Sequence, residues 1–149
     1  MSTVVFSPFT QATGAVFKLL LDLDATTSEP VLLKQQLHTP EMVSIVIGVV
    51  GDLTGNIYYR FPKPTMLEMV QIMSGMEMDK IDEFVMSAVG EIANIISGNA
   101  LMELAQEKIN CDILPPRFLE GEEVYPLDKP VTSAIIKTTL GDIQLDFQI

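Results

Sequence analysis

Two apolar runs, "MVSIVIGVV" (residues 42–50) and "GNIYYRF" (55–61), stand on either side of the turn-rich "GDLTGN" (51–56). β-branched and aromatic residues suit a pleated surface, and Gly, Asp and Asn between two such runs mark a hairpin. An isolated hairpin is marginal in water, so this one needs more strands or a helix to cover it. The end of the chain supplies strands. "VTSAIIKTTLGDIQLDFQI" (131–149) alternates in polarity and turns at "LGD", which predicts a second hairpin. "VLLKQQL" (31–37) predicts a further strand. The chain is therefore committed to an antiparallel sheet.

The remaining periodic segments read as helices. "SPFTQATGAVFKLLLDL" (7–23) opens with Ser7 as N-cap and Pro8 at the first helical position. Phe9, Ala12, Val16, Leu19 and Leu20 follow at helical spacing, and the helix ends near Leu23. A second helix starts at "TMLE", where Thr65 and Glu68 form a capping box, and stops near Gly75. Asp79 is expected to cap a third, long helix from about Lys80 to about Lys108. The order is helix, strands, two helices, strands. It predicts an α+β fold, a single domain over residues 1–149 with helices packed on an antiparallel sheet.

Composition narrows the function. The formal net charge of −11 argues against binding nucleic acid, whose phosphates would be repelled. The acid is dispersed apart from Glu120, Glu122 and Glu123, and reads as a solvated surface. The longest apolar run, "VSIVIGVVG" (43–51), falls far short of the roughly 20 residues of a membrane helix. No secretion signal is expected from "MSTVVFSPF", and the single cysteine fits a reducing cytoplasm.

The long helix contains an anomaly. "SAVGEIANIISGNA" (87–100) mixes two glycines, two asparagines and a glutamate into an apolar stretch. At about 100° per residue, Ile81, Phe84, Val85, Ala88, Ile92, Ile95 and Ile96 gather on one face, predicted to be buried. Ser87, Glu91, Asn94 and Gly98 form a second stripe, with Glu91 and Asn94 as neighbours pointing the same way. Gly90, Ala93, Ser97 and Gly98 surround that pair with almost no side chain. Each glycine costs a helix about 1 kcal/mol relative to alanine. Two readings of this expense stand side by side. A second protein could approach the bared backbone and meet the two polar groups. Alternatively, the small residues pack tightly against another helix of the same chain, with Glu91 and Asn94 merely solvated. Asn99 lies on the core side of the wheel and is expected to be a buried, backbone-bonded asparagine.

These residues resemble a known family. Ser87, then Glu91-Ile-Ala-Asn94, then "SGNA" is similar to the S/D-x3-E-x2-N signature of the chemotaxis phosphatases CheC, CheX and FliY. The likeness to CheX extends to "SPFTQATGAVFKLLL" and "IGVVGDLTGNIYYRF", and covers about residues 5–115. CheC carries a second copy of the motif on its first helix; helix one here has none, which points to the single-site CheX type. The family signature also has a proline some twenty residues beyond the asparagine, for which Pro115 or Pro116 could serve.

The resemblance implies a phosphatase for the aspartyl phosphate of a CheY-like response regulator. Asn94 would hold the attacking water in line with phosphorus, and Glu91 would engage the regulator's lysine. Ser87, Gly90 and Gly98 would belong to the partner-binding surface. The chain would need no cofactor of its own, with Mg²⁺ expected on the partner, and a homodimer formed through the sheet is implied. The rival from another class is a non-catalytic module that docks on a regulator or a flagellar switch protein.

Other motifs carry less. Glu107-Lys-Ile-Asn110 also fits E-x-x-N but lies at a helix end without small neighbours. Cys111 and Arg117 have the C-x5-R spacing of cysteine-dependent phosphatases. That chemistry needs a loop of backbone N–H groups, and "DILPP" between them has two prolines and no glycine. His38 is the only histidine and has no Cys pair to complete a zinc site. Met66, Met69, Met73, Met76 and Met78 read as core filling.

Overall fold

The structure is a computed structural model that describes residues 3–33, 41–120 and 130–149. In chain order the elements are α1 (Thr3–Leu21), β1 (Thr26–Thr27), β2 (Val31–Leu33), β3 (Met42–Gly51) and β4 (Gly55–Pro62). There follow α2 (Lys63–Ser74), α3 (Glu83–Gln106), β5 (Cys111–Ile113), β6 (Arg117–Glu120), β7 (Val131–Thr138) and β8 (Gly141–Gln148). Among the described residues the eight strands form one antiparallel sheet in the order β1-β7-β8-β4-β3-β5, with β2 also paired to β7 and β6 to β3. Both expected hairpins are present, β3–β4 in register from Met42↔Pro62 to Val49↔Gly55 and β7–β8 closed at Gly141. Each edge is made of two short strands rather than one long one, which limits the unpaired backbone it presents.

Alternation divides the sheet into two unlike faces. Val43, Ile45, Ile47, Ile57, Tyr59, Phe61, Ile143, Leu145 and Phe147 point inward and join the helices in one core. Phe6 and Phe9 of α1 close on Phe147, with ring centroids 5.3 and 5.2 Å apart. The opposite face carries a buried polar network that no local motif announces. Arg60 Nε donates to Asp146 Oδ2 at 2.9 Å and Arg60 Nη1 to Ser44 Oγ at 2.7 Å. Asp146 also accepts from Ser133 Oγ at 2.6 Å and from Gln144 Nε2. Four adjacent strands, β3, β4, β8 and β7, are thereby tied by side chains as well as by their ladders.

Several expected helix boundaries move, always because tertiary packing outweighs a local signal. α1 begins at Thr3, not after Ser7, and Pro8 lies inside it. Val5 and Phe6 are buried, so the helix extends back to place them in the core, with Phe9, Thr13, Val16 and Phe17 completing the face. Leu19, at 80% exposure, and Leu20 are on the solvent side instead. Thr65 does not cap α2. The helix starts at Lys63 behind Pro62, with no side-chain cap, and Thr65 Oγ1 donates to the Leu140 carbonyl in the β7–β8 turn at 2.8 Å. Gly75 does end α2, in the left-handed conformation with φ 72°. The cap of α3 is Asp82 rather than Asp79: its Oδ1 accepts from the Val85 N–H at 2.9 Å. The predicted strand 31–37 is formed over Val31–Leu33, and its remainder and His38 lie outside the described residues. α3 is long and apolar enough, by length and composition, to cross a bilayer, but 50% of that stretch is buried inside the fold.

The buried ion pair sets a stability expectation. Asp146 has 0% exposure, and Asp146→Ala leaves the Arg60 guanidinium without its carboxylate in a dry site. A loss of about 3–5 kcal/mol is expected by urea denaturation; a loss under about 1 kcal/mol would show that the network does not hold the sheet.

Candidate functional site

α3 lies against α1, α2, β3 and β5. Val85, Val89, Ile92, Ala93, Ile96, Ala100 and Leu104 are its buried residues of apolar side chain. This face differs from the predicted one. Val85, Ile92 and Ile96 are buried as expected, Ala88 and Ile95 are half-buried, and Ile81 precedes the helix. Phe84 is 47% exposed and Asn99 is exposed rather than a buried structural asparagine. The helix is flanked on several sides, so its interior is wider than a single stripe and rotates away from Phe84 and Asn99.

The small residues divide into two groups. Ala93 and Ser97 are buried, and so is Gly90, which was expected on the partner-facing ridge. A Cβ on Gly90 would lie 3.2 Å from Phe118 Cζ and 3.3 Å from Pro116 Cγ, so its missing side chain lets β6 and the preceding turn close on the helix. Gly98 is different: a Cβ there meets nothing within 4 Å. Pro116, one of the two prolines considered for the family signature, thus stands beside the helix one residue from Glu91.

The outward stripe is Ser87, Glu91, Asn94 and Gly98, with Ser87 and Glu91 exposed and Asn94 and Gly98 half-buried. Glu91 and Asn94 are separated by about 4.5 Å along the helix axis. Neither has a hydrogen-bond or ion-pair partner among the described residues. They are held by the backbone of a rigid helix and committed to nothing inside the chain. Phe84 and Met102, the latter 69% exposed, fall within about 20° of Glu91 on the wheel and bracket the polar pair with apolar side chains. Sequence reasoning assigned Phe84 to the buried face and left Met102 unassigned; the signal that both lie outward was their angle to Glu91.

One interior contact fixes the helix beneath this ridge. Ser97, one turn beyond Asn94, is hydrogen bonded to the Tyr59 hydroxyl at 2.7 Å. Both residues have 0% exposure. Burial pushes the Tyr59 phenol well above the ordinary tyrosine range, with the Ser97 bond pulling partly back, so the hydroxyl stays protonated.

The decoys separate in space. Cys111 pairs with Gly51 and Arg117 with Val46, five residues apart along β3 or about 17 Å, so the C-x5-R spacing forms two strand segments and not a phosphate loop. Arg117 Nη2 donates to Asn56 Oδ1 at 3.2 Å. Asn110 follows the end of α3, and its backbone N–H donates to Asp52. Met66 and Met69 are core residues, whereas Met73 and Met76 are exposed. Among the described residues no group of three His, Cys, Asp or Glu side chains could hold a metal ion.

Residues 43–140 match the family model described as chemotaxis phosphatase CheX. This chain belongs to the CheX family. It is 30% identical over 115 residues to the CheY-P phosphatase CheX of Thermotoga maritima, with 74% of each chain covered. Among solved structures, the chemotaxis protein CheX of Desulfovibrio desulfuricans superposes with a TM-score of 0.83 at 25% identity, over 95% of this chain and 96% of that one. A CheX of Borrelia burgdorferi, solved in a complex with CheY, BeF3 and Mg²⁺, gives a TM-score of 0.79 at 23% identity, over 96% of each chain. The CheX fold is thus shared over nearly the whole length, and the E-x-x-N stripe lies within the matched segment.

Because a Cβ at Gly98 would enter open space, Gly98→Ala is expected to stabilise the protein by about 0.5–1 kcal/mol, read as a raised urea midpoint. A lowered midpoint would mean that the ridge is covered.

Proposed function

We propose that this chain hydrolyses the aspartyl phosphate of a CheY-like response regulator, working in the cytoplasm through the outward stripe of α3. The observation that carries the reading is the placement of Glu91 and Asn94 side by side on a rigid helix, exposed or half-exposed and without internal partners. Membership of the CheX family gives the reaction class, and the CheX of Borrelia burgdorferi has been captured with CheY.

The chemistry divides between two molecules. Phosphoryl transfer is driven by positioning and by neutralising charge on the phosphoryl oxygens. The regulator brings the acyl phosphate, its Mg²⁺ and a lysine. This chain brings an amide and a carboxylate. The Asn94 amide both donates and accepts, so it can hold a water while leaving its lone pair directed at phosphorus. Orienting one water removes much of the entropic barrier to attack. The water oxygen bonds to phosphorus as the bond to the aspartyl oxygen breaks, releasing inorganic phosphate and restoring the carboxylate. Glu91 would meet like charge if it faced the phosphoryl oxygens; it pairs with the regulator's lysine. Ser87 and Gly98 border the contact, and Phe84 and Met102 lie on the partner beyond it. A homodimer through the sheet edges is part of this reading, with Val31 and Leu32 of β2 exposed there at 55% and 60%.

The test is phosphate release from a phosphorylated receiver with Mg²⁺, with and without the protein. Wild type is expected to accelerate release, and Asn94→Ala to lower the acceleration by about 100-fold or more with its circular dichroism unchanged. Full activity in that variant would refute the assignment. Binding of the phosphorylated receiver without acceleration by wild type would make the chain a docking module instead.

A further inference from the structure

We propose that the buried Tyr59–Ser97 hydrogen bond is a positioning device that sets the rotation of α3 about its own axis, and with it the aim of the Asn94 amide. The proposal rests on reading Glu91 and Asn94 as the catalytic pair.

The argument is geometric. The side of α3 that enters the core is lined by Val85, Val89, Ile92, Ile96, Ala100 and Leu104, whose attraction to α1, α2, β3 and β5 has no direction. Aliphatic contacts of this kind resist separation more than they resist rolling or sliding. Gly90 is closely packed by Phe118 and Pro116, a contact that fixes distance but supplies no directional bond. A hydrogen bond is directional and short-ranged. Among the described residues, Ser97 is the α3 side chain that hydrogen bonds to the sheet, and it does so at 2.7 Å to a residue of the central strand β4. Tyr59 is itself fixed: it is paired with Ile45 on one side and Leu145 on the other, and is fully buried.

Leverage turns this contact into catalytic accuracy. Side chains reach about 5–6 Å from a helix axis, so a rotation of about 10° moves the Asn94 amide by about 1 Å. A misplacement of 1 Å can cost a reaction about 100-fold. Ser97 follows Asn94 by a single turn, so nothing flexible intervenes between the anchor and the amide.

The pair also satisfies two buried hydroxyls, and that structural role must be separated from positioning. Tyr59→Phe or Ser97→Ala each strands one hydroxyl in a dry site and is expected to lower stability. The double variant Tyr59→Phe/Ser97→Ala strands neither and is expected to recover most of that loss in urea denaturation. Positioning is not recovered with it. In the double variant, the maximal rate of phosphate release from a phosphorylated receiver with Mg²⁺ is expected to fall about 10- to 100-fold. The receiver concentration at half-maximal rate should stay within about twofold of wild type. A stable double variant with a maximal rate within twofold of wild type overturns the proposal. Asn94→Ala run beside it tells the two readings apart: if that variant keeps full activity, the function assignment has failed, not the anchor alone. A readout independent of catalysis decides the anchor in that event. The Asn94 side-chain amide resonances, assigned by NMR, should shift and broaden in the double variant, and unchanged resonances overturn the proposal.

Discussion

The packing of α3 between α1, α2, β3 and β5 is the contact on which everything else depends. Val89, Ile92, Ile96 and Ala100 share one core with Ile45, Ile47, Tyr59 and Leu145. That burial pins a helix of 24 residues along the sheet and leaves one stripe of it facing out. A loop could present Glu91 and Asn94 to a partner equally well in reach, but not in precision. A helix locked by its buried side has few ways to move, so two polar groups on its outer side keep a fixed spacing before any partner arrives. Binding then spends little on ordering them.

The fold and the site were legible in the sequence to different depths. The hairpin at 51–56 was read from Gly, Asp and Asn between two β-branched runs, and the end of α2 from a glycine that must adopt positive φ. These are signals in which a residue type answers a backbone demand directly. Caps were read less well. Ser7, Thr65 and Asp79 all have the right chemistry for an N-cap, but so do many exposed residues, and the structure starts each helix where burial requires it. Arg60 and Asp146 are 86 residues apart, and nothing local marks them as partners. Their meeting depends on the pairing of β4 with β8, which only the assembled sheet defines.

The helix wheel erred in an instructive direction. It treated apolar character as a sign of burial, and so turned Phe84 inward and counted Leu19 and Leu20 with the core of α1. Apolar residues make up much of any protein surface, whereas a glutamate with no partner is rarely inside. Glu91 was therefore the sounder guide to the orientation of α3 than any of its hydrophobic residues, and Phe84 and Met102 share its side of the helix.

The oddity of a helix rich in poor helix formers resolves into two separate causes. Gly90, Ala93 and Ser97 are small for the sake of the interior. Gly90 admits Pro116 and Phe118, and Ser97 leaves room for the Tyr59 hydroxyl at hydrogen-bonding distance. Gly98 alone among the four is not fully buried, and a Cβ there would enter open space. Close packing within the chain accounts for three of the small positions, though Gly90 meets Pro116 and Phe118 and Ser97 meets Tyr59, not another helix as the alternative reading expected; the fourth leaves open space on the outer side. The two sides of the helix meet at Ser97, whose bond to Tyr59 ties the inner side to the sheet one turn from Asn94 on the outer side.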